Sequence, residues 1–424
     1  MGKIKLVSRT LLALAVASSL YAAAPGNAEP VPEGQAKERA SGPGGPNNFA
    51  ISQGECARVL ARVDAITRKH FYDAKLAGQP WAAAVKAKRA GILQARNLRQ
   101  LKERITDLLS VLHSSHCEFV TINDEEFYFL KSLFASFSHN QSVIKIDYTG
   151  AVTGGPGCRF DQVRYVLNGS PAERAGIKCG DTIKNVDYRA YAGQLSFAGR
   201  SGKEVPVQIE RDGAVISLTV KPELKNDYQA YLDAIAASAR IEKRGGHSIG
   251  YVHFWCAGHD RFEETLKNLL DTDALVLDLR DVYGGNSIED LNFFYRDPKA
   301  YPPVGFQPRD GEKTVQRFCY TKPVVAIING GSRSGKELIA FSLKRSGRAR
   351  LVGEPTAGAV LAGRLFAIDE KTALYLAVQN VWADGTRLEG NGVQPDLPVS
   401  ADSTQSAKDK QLSAAFADIE RQLQ

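Results

Sequence analysis

The stretch Pro323-Val324-Val325-Ala326-Ile327-Ile328, followed by Asn329-Gly330-Gly331-Ser332-Arg333-Ser334-Gly335, decides how this chain folds. The uncharged, β-branched run predicts a buried strand, and the glycines after it predict a tight turn. Apolar residues then recur at helical spacing over 335–343. A buried strand that leads through a turn into a helix is typical of a parallel sheet covered by helices.

The same alternation of strand and helix extends through the C-terminal half of the chain. The apolar runs 249–254 and 274–279 predict two further buried strands, and 262–270 predicts a helix between them. We therefore expect an α/β core of βαβ type over 223–400, followed by a C-terminal helix within 401–424. In such a sheet the functional groups lie at the carboxyl ends of the strands.

The first 24 residues differ in composition from the rest of the chain. Lys3, Lys5 and Arg9 precede an apolar stretch, and Ala22-Ala23-Ala24 follow it at the spacing of a cleavage site. This pattern is typical of a secretory signal peptide, because the apolar run is shorter than the roughly 20 residues that span a bilayer. We expect 1–24 to be cleaved, 25–50 to be a flexible lead-in, and the mature chain to be periplasmic or secreted without stable membrane insertion.

Charge and cysteine content narrow the function classes. The formal net charge is +7, but the basic residues form no long run, so nucleic acid is not an expected partner. The six cysteines lack the close pairs of a zinc site, and we expect neither a metal nor another cofactor. Cys158 with Cys179 is the one disulfide that we suggest.

Residues 51–140 predict a small helical domain. Apolar residues recur at helical spacing over 52–112, which is enough for two or three helices. The last helix leads into Leu112-His113-Ser114-Ser115-His116, so that two serines and two histidines follow its end.

Residues 141–222 predict instead short strands separated by glycine turns. Among them, Ser170-Pro171-Ala172-Glu173 has the residues of a helix N-terminus and a capping box. With Gly180-Asp181 after it, this segment resembles a PDZ domain, a module that adds an extended peptide to a sheet edge. The resemblance implies that the glycine-rich loop 154–160 binds the substrate, through Gly157, Cys158, Arg159 and Phe160.

Two predicted strand ends carry turns that suit acyl-transfer chemistry. Gly284 and Gly285 lie in a turn where backbone N–H groups can approach a ligand closely. Ser334 opens the helix after another strand, where unpaired N–H donors and the helix dipole stabilise a negative oxygen. By themselves, the two turns are equally consistent with an ordinary β-turn and an N-cap serine.

Further motifs give the region 249–398 a resemblance to a known family. Gly353-Glu354-Pro355-Thr356-Ala357-Gly358 and Gly392-Val393-Gln394-Pro395-Asp396, with the Ser334 turn, are similar to motifs of the C-terminal processing (tail-specific) serine peptidases. The resemblance implies a crotonase-like α/β peptidase core with Ser334 as the nucleophile. It also implies that the oxyanion donors are the amides of Gly335 and of Gly284 or Gly285.

The chain departs from the best-known members of that family at the base. Their catalytic lysine corresponds to Ala359 here, and an unassisted serine is a poor nucleophile. Lys336 is near in sequence, but a residue two positions along a helix points away from Ser334. The segment Ser115-His116 instead resembles the tricorn-core branch, in which a histidine is the base, a serine orients it, and a glutamate, here Glu389, completes a tetrad.

We therefore expect a serine endopeptidase in which Ser334 attacks a peptide carbonyl and His116 carries the proton. His113 is an alternative base, and use of Lys336 would make the protein a Ser-Lys peptidase. The expected partner is a protein or peptide with an accessible C-terminus, and the sequence predicts no oligomeric state. The rival class is a non-catalytic PDZ-containing protein that binds peptides without cleaving them.

Overall fold

The structure, a computed structural model, describes residues 49–424 except 137–143, 156–157, 257–258, 283, 286–290, 298, 302, 308, 310–311, 313, 317–318 and 402–408. The expected signal peptide, nearly all of the expected lead-in, and Gly157 of the predicted substrate loop lie outside the described residues. Within them, no helix combines the length and the apolar character that a membrane span requires.

The described chain begins with three helices and continues with a mixture of strands and helices. The α-helices are α1 Gln53–His70, α2 Gln79–Leu93, α3 Leu98–Leu109, α4 Glu125–Ser136, α5 Pro171–Ala175, α6 Asp227–Ser238, α7 His259–Lys267, α8 Asn292–Tyr295, α9 Gly335–Arg345 and α10 Lys410–Leu423. Short 3₁₀ turns cover Ser110–Leu112 and Gln194–Phe197.

The strands fall into a central sheet and several smaller ones. They are β1 Glu118–Thr121, β2 Lys145–Tyr148, β3 Ala151–Thr153, β4 Val163–Val166, β5 Thr182–Val186, β6 Arg189–Ala190, β7 Val205–Arg211, β8 Ala214–Val220, β9 Glu223–Asn226, β10 Arg240–Arg244, β11 His247–His253, β12 Ala274–Asp278, β13 Val304–Phe306, β14 Thr314–Gln316, β15 Val324–Ile328, β16 Arg350–Gly353, β17 Ala362–Ala367, β18 Thr372–Gln379 and β19 Leu397–Pro398.

The central sheet has the strand order β10-β11-β12-β15-β16-β19, and it is parallel from β11 to β19. Successive side chains of a strand point to opposite faces, so both faces of this sheet need an apolar cover. Val325 and Ile327 share a core with Phe416 of α10, while Val324 and Ala326 belong to the core on the other face. β15 is therefore buried on both faces, and its carboxyl end leads into the Ser334 turn.

The N-terminal helices form a second core. Ser52 starts α1 with a capping box, and Asn97 caps α3 by accepting from the N–H of Gln100. Trp81 and Leu101 are fully buried between the helices, and Leu374 and Leu376 of β18 complete the same core. The helices consequently pack on a sheet whose strands come from distant parts of the chain.

That sheet has the order β1-β18-β17. Glu118 of β1 pairs with Tyr375 of β18 in antiparallel register. β1 follows directly on Ser115-His116. This pairing therefore fixes the segment that carries the predicted base against β18, which lies in the predicted catalytic segment 223–400.

The β-rich segment between β2 and β9 has a core of its own. A four-stranded sheet of order β6-β5-β7-β8 packs with α5 around Ile183, Val207 and Ile209. The segment's two ends pair with each other, with Lys145 opposite Asn226, so the chain enters and leaves it at one place. As predicted, Ser170 caps α5 by accepting from the N–H of Glu173.

The mixed α/β class is confirmed, and the elements predicted around the Ser334 turn lie where they were expected. The predicted strands 249–254, 274–279 and 323–328 correspond to β11, β12 and β15 within one or two residues. The predicted C-terminal helix corresponds to α10, which covers one face of the central sheet.

Candidate active site

The Ser334 turn joins the carboxyl end of β15 to the first turn of α9. Ser334 has φ 57° and ψ −126°, a conformation that an L-residue adopts only when its surroundings enforce it. Its N–H donates to the carbonyl of Ala359 at 2.8 Å, and its carbonyl accepts from the N–H of Glu337 at 2.9 Å. Gly335 begins the helix, so its N–H has no acceptor within α9.

The glycine turn after β12 packs directly on this helix start. A Cβ at Gly284 would lie 2.1 Å from the backbone nitrogen of Lys336 and 2.6 Å from the carbonyl carbon of Gly335. The N–H of Gly284 donates to the carbonyl of Arg333 at 3.1 Å, and Gly285 has φ 67°. The predicted oxyanion glycines are therefore neighbours in space, and the Gly284 amide fastens its turn to the Ser334 loop.

The predicted base lies in a chain of hydrogen bonds with two other predicted site residues. The Ser115 hydroxyl is 2.8 Å from Nδ1 of His116 and donates to Oε2 of Glu389 at 3.0 Å. The Ser115 N–H donates to Oε1 of the same carboxylate at 2.9 Å. Glu389 also accepts from the N–H of Val360 at 2.9 Å.

These contacts set the histidine tautomer by hydrogen-bond accounting. A hydroxyl has one proton, and the Ser115 hydroxyl donates it in the hydrogen bond to Glu389. In its contact with the ring, the hydroxyl oxygen must therefore be the acceptor. The proton of a neutral His116 ring then resides on Nδ1, and Nε2 keeps its lone pair. That is the tautomer which a general base requires.

His116 is held in a buried and partly cationic environment. Its side chain is 1% exposed, and burial, followed by the charge of Arg333, lowers the pKa of His116 to about 3. The guanidinium of Arg333 donates to Oε1 of Glu118 at 2.9 Å. Arg333, next to Ser334, is thus bound to Glu118, which lies close to His116 in the chain. With a pKa of about 3, the His116 ring is neutral at physiological pH.

The alternative bases lie differently. His113 is exposed at the end of the 3₁₀ turn with φ 45°. Lys336 is fully buried, and its Nζ donates to the carbonyls of Arg280 at 2.9 Å and Asp281 at 2.5 Å. Ala359 contributes its carbonyl, through the bond to the Ser334 N–H.

Glu337 is a site residue that the sequence prediction missed. Its buried carboxylate accepts from the hydroxyl of Thr356 at 2.6 Å and from the N–H groups of Gly358 and Ala359 at 2.7 Å each. Burial raises the pKa of Glu337 despite these donors. The signal was its position three residues after Ser334, which is capping-box spacing, yet the carboxylate holds the neighbouring loop instead.

A cleft of about 490 Å³ opens beside the Ser334 turn. Its walls come from the glycine loops and from the β-rich segment, and the lining residues include Arg164, Asp281, Gly331, Arg333 and Ala359. The β-rich segment therefore contributes a side chain, Arg164 of β4, to the same cleft as the turn before Ser334.

The predicted substrate loop lies at a separate cavity of about 550 Å³, between the β-rich segment and α3. Cys158 and Phe160 line it, and the Arg99 guanidinium stacks over the Phe160 ring at 4.0 Å. Arg159 is not part of this lining and pairs with Asp161 at 2.7 Å. The structure brings two of the predicted loop residues to the cavity, apart from the Ser334 cleft.

The cysteines and the possible metal ligands bear on two of the sequence predictions. No disulfide joins any two of the six cysteines, so the suggested bond between Cys158 and Cys179 is not formed in this structure. In the described ranges, no group of histidine, cysteine and carboxylate side chains could hold a metal ion.

Comparison with known proteins identifies the part of the chain that carries Ser334 and Glu389. The model of peptidase family S41 matches residues 248–399. The chain is 25% identical over 260 residues to the carboxy-terminal processing protease CtpB of Bacillus subtilis, an alignment that covers 57% of this chain and 53% of that protein. It is 28% identical over 255 residues to CtpA of the same organism, covering 54% and 51%.

Among solved structures, the tricorn protease superposes with a TM-score of 0.50 at 16% identity, over 88% of this chain and 37% of the other. At that identity the similarity shows the fold alone. The chain spans about half the length of the curated relatives that it matches. Residues 248–399 therefore match peptidase family S41, and over about half of its length the chain is similar to carboxy-terminal processing proteases.

Proposed function

We propose that this protein is a serine endopeptidase that cleaves protein or peptide substrates near their C-termini, with Ser334 as nucleophile and His116 as general base. The observation that carries the proposal is the Glu389–Ser115–His116 chain of hydrogen bonds, which leaves Nε2 of the ring as the proton acceptor. This arrangement orients a ring nitrogen that can accept a proton, which serine proteolysis requires and peptide binding alone does not.

In the proposed reaction, Nε2 of His116 takes the proton of the Ser334 hydroxyl while the oxygen attacks the peptide carbonyl. The N–H of Gly335, together with the N–H of Gly284 or Gly285, stabilises the oxyanion. His116 then gives the proton to the leaving amine. Water repeats the sequence on the acyl-enzyme and returns Ser334.

The low proton affinity of His116 bears on this assignment. A nitrogen with a pKa of about 3 is neutral at physiological pH, but it has a low affinity for a proton. The developing negative oxyanion and the Glu389 carboxylate both favour the imidazolium form as the reaction proceeds. The ring is therefore set for proton transfer with substrate bound, and the free enzyme keeps it uncharged.

For substrate capture, we assign residues 141–222 as a PDZ-like domain that binds an unstructured C-terminal tail. Two features support this role: the cavity lined by Cys158 and Phe160, and the presence of Arg164 in the Ser334 cleft. We further propose that the mature protein works in the periplasm or outside the cell, as its N-terminal 24 residues suggest.

A fluorophosphonate label with peptide mapping tests the nucleophile. The label reacts with an activated serine, so we expect an adduct on Ser334, none in Ser334→Ala, and strongly reduced labelling in His116→Ala. Hydrolysis of an unstructured peptide should follow the same order. A correctly folded wild-type protein that takes no label on Ser334 contradicts the peptidase assignment, and full activity in His116→Ala contradicts the base.

A further inference from the structure

Lys336 is a buried cation for which the reaction proposed above has no role. Its side chain is fully buried, and Nζ donates to the carbonyls of Arg280 and Asp281. Burial lowers the pKa of Lys336 to about 8. In the described part of the chain, no carboxylate oxygen lies within ion-pair distance of Nζ, so the two carbonyls are its principal partners.

Those carbonyls belong to a strained turn. Asp281 and Val282 have φ values of 57° and 58°, two consecutive left-handed residues without a glycine between them. For a β-branched residue such as Val282 this conformation is an outlier that costs free energy. Such strain persists only where surrounding contacts enforce it.

Lys336 contacts both ends of this turn. Its side chain binds the carbonyls at the start, and its backbone nitrogen lies where a Cβ on Gly284, at the other end, would collide at 2.1 Å. The asparagine side chain of Asn329 adds one more bond, by accepting from the N–H of Asp281 at 3.1 Å. The turn is therefore clamped against the first residues of α9.

We propose that Lys336 is a positioning residue for the oxyanion hole, which holds the left-handed Asp281–Val282 turn so that Gly284 and Gly285 stay against the start of the nucleophile helix. The inference rests on the proposed peptidase function. It adds that Lys336, which is not one of the reacting groups, maintains the geometry of the oxyanion hole. Lys336 does not act as the base, because its ammonium protons face the carbonyls of Arg280 and Asp281.

The test uses Lys336→Met, which keeps an unbranched side chain and removes the donors. We expect kcat to fall about 100-fold, the loss that one oxyanion donor causes, with KM changed less than threefold. Affinity for a peptide aldehyde, whose adduct with serine places an oxygen in the oxyanion hole, should fall in parallel. Binding of the uncleaved peptide in a Ser334→Ala background should stay the same, which a merely unfolded site would not allow.

Lys344→Met is the matched control. Lys344 lies on the same helix, and its Nζ also donates to a backbone carbonyl, that of Gln394 at 2.7 Å, but away from the turn. Its kcat and aldehyde affinity should equal those of the wild type. An unchanged kcat in Lys336→Met, or a fall in kcat with unchanged aldehyde affinity, overturns the proposal.

Val282→Gly separates the clamp from the chemistry, because glycine adopts a positive φ without strain. In that background, Lys336→Met should lower kcat only about tenfold, and it should lower Tm less than it does in the wild-type background. The Tm comparison needs no hydrolysis, so it still tests the clamp if the wild-type protein cleaves nothing and the proposed function fails. Equal Tm losses in both backgrounds refute the clamp, and the double variant serves where Lys336→Met alone does not fold.

Discussion

The Glu389 carboxylate accepts a 3.0 Å hydrogen bond from the Ser115 hydroxyl, although 274 positions separate the two residues in the chain. Ser115 transmits this contact to His116, because a hydroxyl that donates to a carboxylate must accept from the ring. The charge on Glu389 therefore determines which ring nitrogen carries the proton.

Glu389→Gln should reverse that tautomer. The glutamine amide can donate to the Ser115 oxygen, whose own proton then turns toward Nδ1 and leaves the ring proton on Nε2. We expect kcat to fall roughly 10²–10⁴-fold with little change in KM, as for other wrong-tautomer variants. Steady-state kinetics measure the loss, and ¹⁵N NMR of labelled histidine reports the tautomer. Glu370→Gln, at an exposed glutamate, is the control. A Glu389→Gln protein with wild-type kcat contradicts the proposal that Glu389 sets the His116 tautomer through Ser115.

Arg333→Gln should move the acid limb of the pH–rate profile upward. Burial and the Arg333 charge hold the pKa of His116 at about 3, and the base works only when unprotonated. Removing the cation raises that pKa, so activity should be lost at a higher pH, by about one unit. The profile of kcat/KM between pH 3 and 7 measures this shift. Arg345→Gln, at an exposed arginine paired with Asp384, should leave the limb in place.

Gly284→Ala should disable the oxyanion hole. The added Cβ meets backbone atoms of Gly335 and Lys336, which cannot rotate away as a flexible side chain can. The glycine turn must then retreat from the helix start, and we expect kcat to fall at least 100-fold. Gly330→Ala is a close control, because a Cβ there meets nothing within 4 Å. Similar kcat values for the two variants would show that the contact is irrelevant to catalysis.

Asp227→Asn should stabilise the protein increasingly as the pH rises. Asp227 is buried against the Glu125 carboxyl, which also accepts from the Tyr231 hydroxyl at 2.7 Å, and burial raises the pKa of Asp227 to about 7. The folded state therefore holds a proton that the unfolded state has lost between pH 4 and 7, so wild-type stability falls as pH rises through that window.

The asparagine variant lacks this titration, and its advantage over wild type should grow by up to about 1.4 kcal/mol per pH unit there. Urea unfolding of both proteins at pH 5, 6, 7 and 8 measures the difference. A difference that does not vary with pH rules out the buried proton.

The sequence indicated the local parts of this structure well. Apolar runs followed by glycine turns located β12, β15 and the start of α9, because burial on both faces leaves a clear signature in composition. Motifs selected Ser115, His116 and Glu389 as candidate site residues, and the structure joins these three residues in one chain of hydrogen bonds.

Tertiary contacts account for what the sequence did not indicate. The pairing of β1 with β18 joins residues about 250 positions apart, and hydrophobic periodicity carries no information on such partners. Helical geometry predicted only that Lys336 points away from Ser334, and it could not identify the Lys336 acceptors, which follow the end of β12. Glu337 has the spacing of a cap, and only the position of the loop 356–359 redirects it.

The span from Ser115 to Glu389 also has a consequence for protein synthesis. The nascent chain presents His116 first and Ser334 much later, and the carboxylate that sets the histidine tautomer emerges after both. Before Glu389 is made, β18, which pairs with β1, has only just been synthesised, and Ser115 lacks its Glu389 acceptor. Under the proposed mechanism, a nascent chain that has not yet reached Glu389 hydrolyses neighbouring nascent proteins far more slowly than the folded protein does. The order of residues in the chain therefore delays full activity until Glu389 has been made.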